Sequence, residues 1–410
     1  MLPYSRNAFL SFFGAGFGRI KLISCLFIIA LLVSCGSPQV NKNQVETIIS
    51  QIQQNYAPDA RTALFEVDYS VKADSVLLTG ETTEEDAIGH LTMRLSVQNI
   101  PAINKVTVLP ERELGGKVFG LINNSVANIR SRPSHTSQLI TQATLGTPVT
   151  VYKAHESEGW FYIQTPDNYL GWVDEGGLAR MDSSAYSSWK QSDKVIFTAA
   201  HGVVYESPAP SSYPVSDLVM GAILRSTGGE SNEHLKVIYP DGRSGYLHKE
   251  QAREYGKWHR QSSDVSASDL IHTARGFKGF PYIWGGTSAK AFDCSGFTQT
   301  VFFMNGIQIP RDASQQVMVG DTVKAGDSYQ GVQAGDLLFF GEQEGRITHV
   351  ALYMGDSEII HASGKVKIES LSPTDEHYTE HRDTTFQEAR RILGSLDSGK
   401  IKQLKKNNYY

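Results

Sequence analysis

Hydrophobic and polar positions change rhythm several times along this chain. LFEVDYS (64–70), SVLLTG (75–80) and INKVTVL (103–109) alternate with period two, the signature of half-buried strands. Thr82 and Glu85 stand three apart ahead of apolar residues at helical spacing, which predicts a capping box and a helix to about Gln98. A small β-β-α-β module over 61–112 follows, preceded by a polar, Gln/Asn-rich segment at 36–60 that reads as a tether running into a short helix. From Val118 the rhythm becomes short alternating runs broken by turn residues: NSVANIRSRPS, LITQATLGTPVTVYKA, GWFYIQTP and YLGWVDEGGL. That spacing predicts a small β-barrel over 117–182, and a looser copy in GVVYESPAP, LVMGAILRS and LKVIYPDGRSGYLHKE predicts a second over 183–256. Residues 262–396 mix periods: SASDLIHTARGFKG is an amphipathic helix with Ser266 or Ser268 as cap, AFDCSGF opens another helix, and GDLLFFG is a strand followed by a strand pair. The last stretch, 397–410, is basic and is expected to fray. A chain of 410 residues exceeds what one core supports, so the fold class is multidomain α+β.

The N-terminus adds an address. Arg6, Arg19 and Lys21 precede an apolar run from Leu22 to Val33 and then small residues, the order of a secretion signal. The run falls short of the roughly 20 residues that a bilayer span needs. Leu32-Val33-Ser34-Cys35 resembles the lipobox of bacterial lipoproteins. The resemblance implies a signal over 1–35, lipidation of Cys35, and a protein lipid-anchored to an envelope membrane and facing the periplasm. A net charge of −5 offers no basic excess for nucleic acid.

Cysteine arithmetic then isolates one thiol. Cys25 would be discarded and Cys35 lipidated, which leaves Cys294 without a disulfide partner in an oxidising compartment. A buried cysteine can simply act as a small hydrophobe. Here Asp293 is a good N-cap, and Phe297, Val301 and Met304 follow on one helical face before Gly306. Cys294 therefore stands at the first position of a helix, where the local positive potential favours thiolate; a nearby imidazolium would lower its pKa from about 8.5 into the range of roughly 3.5 to 7.5. Backbone N–H groups at the same terminus can hold an oxyanion. A base is offered by ITHVALYMGDSEIIHASG, an alternating hairpin. With its turn centred near Gly355, His349 lies opposite His361, close enough for one imidazole to orient the other. Either histidine alone reads as a buried structural group, and one Cys with two His could ligate zinc. The chain has neither HExxH nor CxxC, so no metal and no cofactor are expected.

PYIWGG, FDCSGF, PRDASQQ, GDLLFF, THVALYMG and IIHASG, in this order, closely resemble the NlpC family of cell-wall cysteine peptidases. The resemblance implies a papain-like fold and cleavage of the γ-D-glutamyl to diaminopimelate (or lysine) bond of peptidoglycan stem peptides. It implies Cys294 as nucleophile, His349 as base, His361 as the orienting third member and Tyr282 as an aid to the oxyanion. Trp284 beside Tyr282, and Asp293 and Ser295 beside Cys294, fall where that family meets substrate.

The N-x-R-x-x-P, L-G-x-x-V and G-W-V motifs resemble bacterial SH3-like domains, and VLLTG with its helix and V-x-V resembles the BON domain, an envelope module; an unspecialised α+β spacer remains the alternative for that segment. Two SH3-like domains ahead of the peptidase resemble the YkfC-type dipeptidyl-peptidases, which act on freed peptides with N-terminal L-Ala and release L-Ala-γ-D-Glu. That likeness implies Tyr169 and Asp312 at the substrate amine, with Gln138 where a relative carries glutamate. An endopeptidase on intact stems and a wall-binding scaffold lipoprotein are the competing functions.

Overall fold

The computed structural model describes residues 40–156, 159–229, 233–260 and 264–410. The expected secretion signal, Cys25 and the lipidation candidate Cys35 lie outside the described residues. Helix α1 (Lys42–Tyr56) starts where Asn41 accepts the Gln44 N–H at 3.3 Å. Its Val45, Ile48 and Ile52 recur at helical spacing and are buried, so the short helix expected after a tether takes up most of residues 36–60 and belongs to the core. Strands β1 (Phe65–Lys72) and β2 (Ser75–Thr82) form a hairpin, and helix α2 (Glu85–Val97) crosses over to β3 (Ala102–Val108), which pairs parallel to β2. Leu91 and Leu95 of α2 join the α1 residues over Phe65, Val76 and Leu78. The expected capping box does not form. Thr82 Oγ1 donates to the Leu64 carbonyl (2.8 Å) and accepts the Glu84 N–H (3.0 Å), so Thr82 closes its strand and Glu84 is the N-cap.

Two seven-stranded sheets follow. The first contains β4 (Phe119–Ile122), β5 (Val126–Arg130), β6 (Leu139–Thr144), β7 (Pro148–Ala154), β8 (Trp160–Gln164), β9 (Leu170–Asp174) and β10 (Leu178–Met181), in the order 10-4-7-8-9-5-6. After helix α3 (Ser183–Gln191) come β11 (Lys194–Phe197), β12 (His201–Tyr205), β13 (Pro214–Val219), β14 (Ile223–Gly229), β15 (His234–Ile238), β16 (Ser244–His248) and β17 (Ala252–Glu254). Their order, 17-11-14-15-16-12-13, repeats the first sheet strand for strand. Closed barrels were expected. Among the described residues the end strands of each sheet do not pair, and register shifts at Ile129/Arg130, Val151/Lys153, Val204/Tyr205 and Ser226/Gly229 bend each sheet round its own core instead.

Helix α4 (Tyr255–Arg260) leads to the C-terminal domain, and the Trp258 indole N–H donates to the Met304 carbonyl at 2.8 Å. There α5 (Ala267–Arg275) opens on a capping box between Ser266 and Asp269. The short pair β18 (Thr287–Ser288) and β19 (Ala291–Phe292) precedes α6 (Cys294–Met304), β20 (Ile307–Gln308) and α7 (Ala313–Gln316). Then come β21 (Asp321–Val323), β22 (Leu337–Phe340), β23 (His349–Gly355), β24 (Glu358–Ser363), β25 (Lys365–Ser370), α8 (Glu380–Thr384) and β26 (Phe386–Arg391), forming an antiparallel sheet in the order 21-26-22-23-24-25. Helix α6 packs on it through Phe297 and Val301 against Val350, Leu352 and Ile360. Phe277, Phe292 and Phe297 meet edge to face beneath the start of α6, each worth about 1.5–3 kcal/mol in burial alone. The opposite sheet face buries Leu338, Phe340, Ala351 and Tyr353, which is why β22 and β23 read as unbroken apolar runs.

The basic tail is a strap, not a frayed end. Strand β27 (Lys402–Gln403) pairs with β20, and Ile401 and Leu404 are fully buried. Beyond them Tyr186 donates its hydroxyl to the Tyr409 carbonyl (2.7 Å) and Tyr409 bonds Thr150 (2.9 Å). Apolar residues spaced between the lysines anchor the strap while the ammonium groups stay wet.

Candidate active site

Cys294 is the first residue of α6, and Asp293 caps that helix by accepting the Gly296 N–H at 2.6 Å. A side chain at Gly296 would meet the Gly286 carbonyl oxygen at 2.1 Å, so only glycine fits there. Asp293 has further partners: its Oδ2 accepts the Gly285 N–H (2.9 Å), and Arg311 donates to both carboxylate oxygens at 3.1 and 2.6 Å. Arg311, only 1 % exposed, also donates to Ser295 Oγ (3.0 Å) and to Thr141 Oγ1 of β6 (2.9 Å). Asp293 and Ser295 line the cleft, yet their polar atoms are engaged within the protein.

The electrostatics of Cys294 differ from the thiolate expected at a helix terminus. Burial pushes the thiol up to about 11, and the Asp293 carboxylate adds to the rise. The Val350 N–H, Arg311 and the Ser295 N–H oppose it without reversing it. The thiol therefore rests neutral, and its proton needs an acceptor.

Val350, whose backbone N–H bonds the sulfur, directly follows His349, which makes His349 the candidate acceptor. His349 Nε2 lies 2.7 Å from His361 Nδ1, and the rings stand edge to face. The two residues are not directly opposite, as expected, but diagonal. The register pairs Leu352 with Ile360 and Tyr353 with Ile359, because the turn is built on Asp356 and Ser357, both at positive φ (50° and 63°). The shift is by two residues, and an even shift keeps both side chains on one face. The same face continues into β25: His361 pairs with Lys367, and two residues on Glu369 Oε2 sits 2.8 Å from His361 Nε2.

This chain assigns the tautomers. Hydrogen bonding to His361 holds Glu369 down at about 2, so it is an ionised acceptor and His361 carries its proton on Nε2. His361 Nδ1 then accepts from His349 Nε2–H, which leaves Nδ1 of His349 as its basic nitrogen. Burial, together with the charges of His361 and Arg382, holds His349 well below the usual histidine range and hence neutral. Burial likewise lowers His361, against the pull of Glu369.

A cleft of about 480 Å³ opens over the sulfur. Tyr282, Trp284 and the 346–348 segment line it from the C-terminal domain, and Gln138, Ile140 and Tyr169 line it from the first sheet. Burial and the neighbouring Cys294 raise Tyr282 to about 12, so its hydroxyl keeps its proton. Trp284 is 63 % exposed on the rim, an apolar surface open to a ligand. At the far end the Tyr169 hydroxyl donates to Asp312 Oδ2 at 2.9 Å. Sequence reasoning missed three residues. Glu369 was accessible by extending the same-face rule one strand further. Arg311 stands beside Asp312 in PRDASQQ, but its role as the buried counterion of Asp293 has no local mark. Arg61, which lines the cleft from the N-terminal module, carries no signal at all.

Residues 279–387 match the NlpC/P60 family, and residues 125–179 match the bacterial SH3 domain. A gamma-D-glutamyl-L-lysine dipeptidyl-peptidase of Bacillus cereus is 33% identical over 244 residues, spanning 56% of this chain and 68% of that protein. The chain belongs to the NlpC/P60 family. Dipeptidyl-peptidase 6 of Lysinibacillus sphaericus is 27% identical, over 66% of this chain and 97% of its own. A crystal structure of an NlpC/P60 family protein from Bacillus cereus superposes with a TM-score of 0.57 at 27% identity, covering 67% of this chain and 99% of that one. This NlpC/P60 protein is thus a peptidase. Cys294, His349, His361 and Glu369 fall within the NlpC/P60 match, Gln138 and Tyr169 within the SH3 match, and Arg61 outside both.

Proposed function

We propose that the protein hydrolyses the γ-D-glutamyl to diamino acid bond of peptidoglycan stem peptides, prefers freed peptides with N-terminal L-Ala, and releases L-Ala-γ-D-Glu. The observation that carries this reading is a single cleft lined by Cys294, Tyr282, Tyr169 and Asp312 and walled by several modules. Such walls favour a short freed peptide over a stem still held in the sacculus. The names of the Bacillus and Lysinibacillus relatives point the same way.

In this reading His349 Nδ1 takes the Cys294 proton as the sulfur attacks the γ-glutamyl carbonyl. The carbonyl electron pair moves to oxygen, where backbone N–H groups at the start of α6 and the Tyr282 hydroxyl hold it. On collapse the C–N bond breaks, and His349 returns the proton to the leaving amine of the diamino acid. Water, deprotonated by His349, then cleaves the thioester and frees the dipeptide. His361 and Glu369 keep His349 in the required tautomer. Asp312 and Tyr169 receive the substrate amine, Gln138 borders it, and Trp284 covers the chain, while Asp293 and Ser295 act from below. Residues 1–35 serve as a lipoprotein signal that anchors the enzyme through Cys35 to an envelope membrane, facing the periplasm. Residues 61–112 serve as a BON-like module and 183–256 as a second SH3-like domain, a reading supported by its repeated strand order.

The test is product analysis by mass spectrometry on L-Ala-γ-D-Glu-diaminopimelate, with its amine free or acetylated, beside a Cys294→Ala control. Cysteine-dependent release of L-Ala-γ-D-Glu mainly from the free peptide is expected. Equal cleavage of both would favour an endopeptidase, and no cleavage of either would favour a scaffold.

A further inference from the structure

The amine end of the cleft already contains a cation. Arg61, in the connection between α1 and β1, reaches across to the C-terminal domain, where its Nη1 donates to Asp312 Oδ2 (2.7 Å) and Ser314 Oγ (3.0 Å). Its Nε and Nη2 grip Asp59 Oδ1 and Oδ2, both at 2.8 Å, a bidentate pair that fixes the plane of the guanidinium. Asp59 is itself held by Gln315 Nε2 at 2.7 Å. The Arg61 carbonyl accepts the Leu170 N–H at 2.8 Å, tying this stretch of backbone next to Tyr169. Arg61 is thus positioned from both sides. Burial works against its charge, but Asp59 and Asp312 outweigh it and hold its pKa above the ordinary arginine value, so it is a cation at every working pH.

The consequence falls on Asp312, the only carboxylate among the described residues that line the cleft at this end. Its Oδ2 accepts from both Arg61 and Tyr169. An incoming ammonium group must share that carboxylate with a fixed guanidinium and sit near a like charge. Gln138, on the opposite wall, supplies no compensating negative charge.

We propose that Arg61 is a specificity-determining residue, donated by the N-terminal module, which competes with the substrate ammonium for Asp312 and so weakens the enzyme's preference for a free over an acylated peptide N-terminus. The inference rests on the cleavage reading above. Asp59 acts through Arg61 as a positioning residue: its negative charge draws the guanidinium back and relieves part of that competition.

The test is the ratio of kcat/KM for free against N-acetylated L-Ala-γ-D-Glu-diaminopimelate, measured on the whole protein. Arg61→Gln is expected to raise that ratio roughly tenfold by removing a like charge beside a partly exposed pair. Arg61→Lys keeps the charge and is expected to keep the ratio near wild type. Asp59→Asn keeps one acceptor oxygen but removes the negative charge that draws Arg61 away from Asp312, and is expected to lower the ratio. Loss of fold cannot move a ratio in opposite directions in two variants. An unchanged or lower ratio in Arg61→Gln, with wild type cleaving normally, overturns the role of Arg61 alone. No Cys294-dependent cleavage of either peptide by wild type overturns the cleavage reading and this inference with it.

Discussion

The two ends of the cleft are built in different ways. At the sulfur end, Cys294, His349, His361 and Glu369 come from one domain, and three of the four lie on one face of three adjacent strands. At the amine end, Arg61, Tyr169 and Asp312 come from three modules and meet across 251 and 143 positions of sequence. Machinery that must hold a proton path to a few tenths of an ångström sits within one domain, on a sheet and the helix packed against it. In the proposed reading, selection of the peptide end tolerates assembly from several modules.

The largest effect is expected at the sulfur end. Cys294→Ala should lower single-turnover cleavage by roughly 10⁴-fold or more, since base and oxyanion donors have no nucleophile to serve. Residual cleavage at wild-type rate would remove the chemistry from this end altogether.

Arg311→Ala probes the joint between the two ends, because Arg311 bonds Asp293 beneath the sulfur and Thr141 of the first sheet. It leaves a buried carboxylate unpaired and should cost about 3–5 kcal/mol in urea unfolding. A cost near zero would mean that the ends are structurally independent.

Glu369→Gln sharpens the relay. An amide can donate to His361 Nε2, invert both tautomers and leave a proton on His349 Nδ1, so kcat should fall by about 10²-fold with KM little changed. The wild-type rate should hold as pH falls through the ordinary histidine value, because burial lowers His349 and keeps the base unprotonated there. In folding terms that lowered pKa has a definite sign. An unfolded chain binds the proton first, so stability present above about 6.5 is lost as pH falls below it. A rate that drops with a midpoint above 6.5 would contradict the buried relay.

The smallest effect is expected from Gln138→Glu. It adds a carboxylate at the exposed edge of the amine end and should raise the free-over-acetylated preference a few-fold, screened by salt. No change would mean that substrate never approaches that wall.

Much of the sulfur end was legible because it is local. An N-cap aspartate marks the first turn of α6 from residues within four positions of Cys294, and period-two alternation fixes the face of His349 and His361 even though the turn lies one step later than Gly355. A shift of two residues preserves a face, so the pairing survived an error in the register. Repeated motifs also announced two related β modules, whose strand order is the same. The capping box at Thr82 failed for a tertiary reason: the hydroxyl is drawn to the Leu64 carbonyl across the hairpin.

The sequence by itself determined the elements, their faces and the residue types available for acid–base and nucleophilic chemistry, because caps, turns and periodicity act over a few residues. Only the tertiary structure decided the neutral state of Cys294, the docking of the C-terminal strap and the arrival of Arg61 at Asp312. Those outcomes depend on desolvation and on charges brought together from distant segments, and a free energy summed over such contacts leaves no mark in any short stretch of chain.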